Sequence, residues 1–156
     1  MRITERKKII IVFESYHHLN TEKIALLFAQ VLQAELYKPE QINLARLSEA
    51  DMIGIGSGIY FGKLHENIRA FLEELPFQYD KKSFFFVTSG VQRQKYIQHF
   101  GDKMKVKGMK LVDYFSCKGF DTRGPLKLIG GISRGHPDLT DLYNAEIFAN
   151  KLLNEL

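Results

Sequence analysis

Residues 8–14 read KIIIVFE, and the polar stretch SYHHLNT at residues 15–21 follows them directly. The first stretch is a continuous run of β-branched and aromatic residues, which is typical of a strand buried on both faces, as in a parallel sheet. The second stretch leads into residues 20–35, where apolar residues recur at helical spacing and Asn20 or Thr21 can cap the helix. The order strand, polar loop, helix is therefore predicted around this stretch.

The same order recurs along the rest of the chain. Further strand patterns lie at residues 51–57, 82–88 and 110–117, with a short edge strand around 35–42. Further helices are predicted over residues 64–75, 96–107 and 139–156. This alternation predicts a single α/β domain over residues 1–156, a doubly wound five-stranded parallel sheet of strand order 2-1-3-4-5 with helices on both faces. Ligands of such sheets bind at the carboxyl ends of the strands, which points to the loops 15–20, 57–63 and 88–93.

Composition excludes several classes of protein. The 156 residues are 45% hydrophobic and 26% charged, which is ordinary for a globular domain. The apolar runs are far shorter than the roughly 20 residues of a membrane-spanning helix, so we expect neither a membrane span nor a signal peptide. Cys117 is the only cysteine, which excludes an internal disulfide and favours a cytoplasmic location. The net charge of +4 lacks the strong clustering of nucleic-acid binders, so no nucleic-acid partner is predicted.

The first loop has the composition of an anion site. It runs from the central strand into the amino terminus of a helix, where free N–H groups and the helix dipole attract a phosphate. The side chains that can donate hydrogen bonds to it are Ser15, His17, His18, Asn20 and Thr21. The alternative is that Asn20 and Thr21 only cap the helix. A metal site at the two histidines is not favoured, because no cysteine or carboxylate cluster supplies further ligands at metal-binding spacing.

The second and third loops have the composition of a site for a planar ligand. The second loop places aromatic residues where a central strand should end in a small polar turn, and stacking on a planar ring would bury them. Packing of those aromatics on the following helix is the alternative. The third loop offers hydroxyl groups and backbone N–H groups. The predicted ring-lining residues are Ser57, Gly58, Ile59, Tyr60, Phe61 and Gly62 in the second loop, and Thr88, Ser89, Gly90 and Val91 in the third.

Residues 116–137, SCKGFDTRGPLKLIGGISRGHP, form a long stretch with little periodicity. Loops of that length in compact domains are usually functional or disordered. The apolar side chains of Phe120, Leu126, Leu128 and Ile129 predict an ordered, packed loop. Cys117 is interpreted as a small buried neighbour of the site and not as a nucleophile, because no base is near it in sequence.

Four motifs together resemble the flavodoxin-like FMN-binding family over nearly the whole chain. They are SYHHLNTEKIA at 15–25, SGIYFGKLHENI at 57–68, TSG at 88–90, and the segment at 116–152 that begins SCKGFDTRGP. The resemblance implies that the first loop holds the FMN phosphate and that the second and third loops hold the isoalloxazine ring. Leu19 stands where the family usually has Gly, histidines replace the usual threonines, and the chain is basic where electron-shuttling flavodoxins are acidic.

The function predicted from this resemblance is electron transfer by an FMN-binding flavoprotein, with a redox partner protein or a small electron acceptor. Two alternatives remain open at this point. One is a small FMN-dependent reductase that acts on a quinone or similar planar acceptor. The other is a binding module that keeps the fold and has lost FMN, which the residue Leu19 would explain.

Overall fold

The structure is a computed structural model that describes residues 5–156, and the side chain of His17 lies outside its description. Its strands are β1 (Ile9–Glu14), β2 (Glu35–Tyr37), β3 (Met52–Tyr60), β4 (Lys63–Leu64), β5 (Lys82–Ser89) and β6 (Lys110–Lys118). Its α-helices are α1 (Asn20–Leu32), α2 (Glu66–Glu74), α3 (Gln94–Val106) and α4 (Leu139–Leu152). Among residues 5–156, none of the helices has both the length and the apolar character that crossing a membrane requires.

Five of the strands form the predicted parallel sheet. The order is β2-β1-β3-β5-β6, and the short strand β4 pairs antiparallel with the end of β3. Val12 of β1 is paired with Tyr37 on one side and with Ile55 on the other, and Ile55 is paired in turn with Phe85. Without the added β4 this is the order 2-1-3-4-5, so the predicted fold class is confirmed.

The strands β1, β3 and β5 are buried on both faces because each face is covered by two helices. Alternate residues of β1 point to opposite sides, as strand geometry requires. Ile9, Ile11 and Phe13 join the cluster that contains Phe28 of α1 and Phe148 of α4. Residues of the opposite face join the cluster that contains the helix residues Phe71 and Phe100. The apolar runs read from the sequence are therefore the two-sided core of the sheet.

Several predicted boundaries were wrong. The strand predicted over 35–42 ends at Tyr37, because a 3₁₀ turn begins at Pro39, whose ring fixes φ and which has no N–H for a ladder. The strand predicted to end at Ser57 continues to Tyr60. The first helix ends at Leu32 and not at residue 35, because Gln33 takes a left-handed conformation. The last α-helix ends at Leu152, and a 3₁₀ turn follows it.

Candidate functional site

The first loop makes its turn with two consecutive non-glycine residues in the left-handed region. His18 has φ 55° and Leu19 has φ 54°, and Leu19 is the N-cap residue of α1, so the predicted cap at Asn20 or Thr21 was wrong. For residues with a Cβ this conformation costs roughly 1–2 kcal/mol each. The turn therefore forms with a leucine in this left-handed position, and the backbone carries the strain.

Side-chain hydrogen bonds hold the first loop in place at both ends. The hydroxyl of Ser15 accepts a hydrogen bond from the backbone N–H of Glu22 at 3.1 Å. The hydroxyls of Thr21 and Thr88 are 2.8 Å apart and buried, which joins the first loop to the end of β5. Leu19 itself makes no capping hydrogen bond, so the side-chain acceptor in the first turn of α1 is Ser15, at the N–H of Glu22.

The second loop is a tight hairpin that carries an exposed aromatic residue. β3 and β4 pair through Ile59–Leu64 and Tyr60–Lys63, with only Phe61 and Gly62 between them. Both connecting residues have positive φ, 50° at Phe61 and 76° at Gly62, as a two-residue primed turn requires. Asn or Gly usually takes the first of these positions. Phe61 is instead 79% exposed in a strained conformation, an arrangement that clusters at ligand sites.

Tyr60 connects the second loop to the first. Its hydroxyl accepts a hydrogen bond from the backbone N–H of Tyr16 at 2.9 Å. Burial raises the pKa of Tyr60, although this hydrogen bond and the nearby Arg123 oppose the effect. The Arg123 guanidinium lies 4.7 Å from the ring centroid of Tyr60 and 5.6 Å from that of Phe61, within the range of a cation–π contact. Tyr60 and Phe61 thus both contact Arg123, so packing on the following helix does not account for them alone.

Residues 119–136, here called the cover loop, pack over the first and third loops. Asn20 donates a hydrogen bond through Nδ2 to the backbone oxygen of Phe120 at 2.9 Å. His18 Nε2 lies 2.9 Å from the hydroxyl of Thr122, and its ring centroid is 4.3 Å from that of Phe120. Ser133 donates to the backbone oxygen of Gly90 at 2.6 Å. The cover loop is therefore an ordered part of the site. Phe120 and Leu126 are partly buried, as predicted, whereas the prediction that Leu128 and Ile129 pack was wrong, because these side chains are 89% and 72% exposed.

Two adjoining spaces lie between these loops. The outer cavity has a volume of about 270 Å³, and its walls come from the second loop, the third loop and the cover loop. The inner cleft, with a volume of about 20 Å³, reaches Asn20 of the first loop. The predicted residues that line one or both spaces are Asn20, Gly58, Ile59, Tyr60, Phe61, Gly62, Thr88, Ser89, Gly90 and Val91.

Three residues that line the inner cleft each have a buried polar atom without a partner. Within residues 5–156 these atoms are Asn20 Oδ1, Ser89 Oγ and Arg123 Nη1, and all three residues line this cleft. Such an atom costs about 1–3 kcal/mol when it has no hydrogen-bond partner, so each calls for an explanation. Together they offer one acceptor, one hydroxyl and one cationic donor to a polar ligand.

The other predicted residues have different positions. Ser57 is buried outside both spaces, where its hydroxyl donates to the backbone oxygen of Gly58 at 2.7 Å and accepts from the backbone N–H of His65 at 2.9 Å. Ser15, His18 and Thr21 lie in the first loop and do not line the two spaces. The side chain of His17 lies outside the described part of the chain.

The sequence reasoning missed the pair Asp121 and Arg123. Arg123 Nη2 lies 2.6 Å from Asp121 Oδ2, and both side chains are nearly buried. Arg123 lines the outer cavity and the inner cleft. The available signal was the motif FDTRGP in a long loop without periodicity, but that motif does not show which of its side chains turns inward.

Two ionisable groups near the site have shifted pKa values, which leave the first charged and the second neutral at neutral pH. Burial alone would raise the pKa of Glu14, but hydrogen bonds from Asn67 and Lys38 and the charge of Lys38 hold it below its ordinary value, so the carboxyl is ionised. Burial and, to a smaller extent, Asp141 and Asp138 raise the pKa of the Cys117 thiol well above its ordinary value. Cys117 is thus a buried neutral thiol, as interpreted from the sequence.

A parallel sheet covered by helices on both faces, with a crevice at the carboxyl ends of β1, β3 and β5, defines the doubly wound α/β class, whose ligands bind at that edge of the sheet. The sequence profile of a flavodoxin domain matches residues 10–119. An uncharacterized protein of Methanocaldococcus jannaschii, MJ0298, is 40% identical over 148 residues, which cover 94% of this chain and 98% of that protein.

Solved structures of flavodoxins are also similar. A flavodoxin from the domain Archaea superposes with a TM-score of 0.72 at 19% identity, over 95% of this chain and 97% of that one. Oxidised Flavodoxin 2 from Bacillus cereus superposes with a TM-score of 0.71 at 21% identity, over 96% of this chain and 99% of that one. The chain belongs to the flavodoxin domain family, which confirms the resemblance seen in its motifs and implies a flavin as the cofactor.

Proposed function

We propose that the chain binds FMN non-covalently and serves in electron transfer with a redox partner protein or a small electron acceptor. The observation that carries this proposal is that Asn20, Ser89 and Arg123 all line the inner cleft and each has a buried polar atom without a hydrogen-bond partner among the described residues. An isoalloxazine ring and a ribityl chain offer carbonyl, N–H and hydroxyl groups, which are the partners that these three atoms need.

The walls of the outer cavity fit a planar aromatic ligand. Ile59, Phe61 and Val91 provide apolar surface, and Phe61 and Val91 are exposed, so a ring between them would remove apolar area from water. Offset stacking on an aromatic side chain adds roughly 0.5–1.5 kcal/mol beyond that area. We propose that Phe61, and not the half-buried Tyr60, makes the larger ring contact.

The amino-terminal end of α1 fits a phosphate. The helix is 13 residues long, and its cap residue Leu19 supplies no side-chain acceptor for the first N–H groups. Ser15 already accepts from Glu22, and Thr21 is paired with Thr88, so these hydroxyls fix the shape of the loop. We propose that backbone N–H groups of the first loop hold the phosphate, with His18 and Asn20 beside it.

When bound, FMN supplies the one- or two-electron redox chemistry, so no side chain has to act as an acid or base. Arg123 holds a positive charge at the crevice, and Asp121 keeps its guanidinium in place through Nε at 2.9 Å and Nη2 at 2.6 Å. The open outer cavity leaves one side accessible to a partner.

The test compares FMN with riboflavin, which lacks only the phosphate. We expect FMN to bind at least about tenfold more tightly, since one charge-assisted hydrogen bond contributes on the order of 1.5–3 kcal/mol. Fluorescence titration of the purified chain measures both affinities. If neither flavin binds, the proposed function is wrong; if both bind equally, the phosphate is not held at α1.

A charge placed at the end of α1 locates the phosphate. Leu19→Asp adds a negative charge at an exposed cap residue, and Leu26→Asp adds the same charge at an equally exposed position of the same helix. The second position is about 10 Å further along the axis, about one screening length away. We expect Leu19→Asp to weaken FMN by about tenfold and riboflavin by less than about twofold, and Leu26→Asp to change neither. Equal weakening of both flavins by Leu19→Asp would contradict the assignment.

A further inference from the structure

A third cavity, beside the outer cavity, is lined by basic side chains from three elements. Its volume is about 500 Å³, and we call it the basic cavity. The basic residues that line it are Lys63 of β4, Arg69 of α2, and Lys95, His99 and Lys103 of α3. The three residues of α3 follow at four-residue spacing and so share one face of that helix. No Asp or Glu is among the described residues that line the cavity.

These cations lack the partners that other cations of the chain have. The ion pairs within residues 5–156 include none of the four Lys and Arg residues of the basic cavity. Lys38, by contrast, lies 2.9 Å from Glu14. A concave space lined by charge of one sign concentrates the field of those charges, and mobile counter-ions or a bound anion must balance it.

One of the cations is held in position. Arg69 donates a hydrogen bond through Nε to the backbone oxygen of Leu64 at 3.1 Å, which fixes its guanidinium beside β4. A fixed planar guanidinium recognises phosphate and carboxylate groups through parallel hydrogen bonds. Lys95 stands next to Tyr96, with its Nζ 5.7 Å from the ring centroid.

We propose that the basic cavity binds a small molecule that carries two or more negative charges, as phosphate or carboxylate groups. The volume lies within the roughly 300–1,000 Å³ of small-molecule sites, and the concave shape favours a small ligand over the convex acidic surface of a protein. Ile59, Gly62 and Tyr96 line both this cavity and the outer cavity. An anion held here therefore brings the rest of its molecule to the edge of the crevice that we assign to the flavin ring. The proposal does not rest on FMN binding, because no basic residue of the cavity lines the outer cavity or the inner cleft.

The test uses the full chain without flavin, with pyrophosphate and citrate as probes in calorimetric titrations at about 20 mM salt, where screening is weak. The double variant Lys95→Gln/Lys103→Gln removes two charges from the cavity. The matched control Lys105→Gln/Lys110→Gln removes two exposed charges from the same helix and from β6, outside the cavity. We expect at least about a tenfold loss of probe affinity in the first variant and less than about twofold in the control.

The probes and a further variant separate the outcomes. Tighter binding of pyrophosphate identifies a phosphate ligand, and tighter binding of citrate a carboxylate ligand; both support the site. Equal losses in the two double variants would show a mere effect of net charge and overturn it. Loss of pyrophosphate binding in Leu19→Asp alone would place the anion at α1 and overturn it as well. Binding of polyglutamate, with no binding of either small anion, would replace the small molecule with an acidic protein partner.

Discussion

The ion pair between Arg123 and Asp121 should stabilise the cover loop more than an exposed ion pair would, because both side chains are nearly buried. Its side chains are only 12% and 10% exposed, and the guanidinium contacts both carboxylate oxygens. Arg123→Met keeps an unbranched side chain and removes the charge, which leaves Asp121 buried without its counter-ion. Breaking a buried pair in this way costs about 3–5 kcal/mol. We expect about 3 kcal/mol, because the backbone N–H of Arg123 still donates to Asp121 Oδ1 at 2.9 Å.

Urea denaturation followed by circular dichroism measures this loss without adding salt. With a slope of about 2 kcal/mol per M, the midpoint should fall by about 1.5 M. The matched control is Arg46→Met, whose pair with Glu35 at 3.1 Å is far more exposed, with 41% and 37% of the side chains accessible. An exposed pair contributes about 0–1 kcal/mol, so the midpoint of this variant should hardly move.

The double variant Asp121→Asn/Arg123→Met distinguishes a stranded charge from lost packing. If the stranded carboxylate causes the loss, the double variant should be more stable than Arg123→Met alone, since an amide is far less costly to bury than a carboxylate. A double variant that loses the sum of the two single losses would refute this reasoning.

Three further predictions concern stability and reactivity. The folded-state pKa of Glu14 is lowered, so the stabilising effect of this carboxylate is complete above its ordinary pKa of 4.5 and is lost as the pH falls through the folded-state value. The urea midpoints at about pH 6 and pH 3 should therefore differ less in Glu14→Gln than in the original chain. A Cβ at Gly56 would lie 2.1 Å from Phe86 Cζ, whereas one at Gly101 would first meet a side chain at 3.5 Å. Gly56→Ala should thus lower the free energy of unfolding by about 1–3 kcal/mol, whereas Gly101→Ala should raise it by up to about 1 kcal/mol. The same urea denaturation measures both changes. Cys117, 3% exposed and with a raised thiol pKa, should react with a thiol reagent only as fast as the chain unfolds, and rapid labelling of the native chain would contradict its burial.

The sequence predicted the elements whose signal is local. The apolar run of β1 is buried on both faces, so its type and its place inside the sheet, away from the edge, could be read directly. The short strand β4 (Lys63–Leu64) could not be predicted from the sequence, because two residues contain no repeat of the strand period. The N-cap of α1 was placed wrongly because Asn20 and Thr21 are better capping residues than Leu19, while the loop sets the actual start of the helix.

The candidate site could be predicted at the level of loops and not of individual contacts. The carboxyl ends of parallel strands meet at one edge, so topology alone brought the three loops together. Which side chains turn inward depends on the cover loop, whose path has no periodic signal. Arg123 faces the crevice because Asp121 holds it there, and Ser57 faces away because its hydroxyl is used at the start of α2.

The crevice is joined across its loops by the chain's own hydrogen bonds. Thr21 with Thr88, Tyr16 with Tyr60, and Asn20 with Phe120 connect the first loop to the third loop, the second loop and the cover loop. A ligand that enters such a crevice has few loops to order, so less of its interaction energy is lost to conformational entropy. The three buried atoms without partners belong to residues that line the inner cleft, and their desolvation cost is already present in the folded chain. Hydrogen bonds that a flavin makes to these atoms should therefore contribute to its affinity with little reorganisation of the protein.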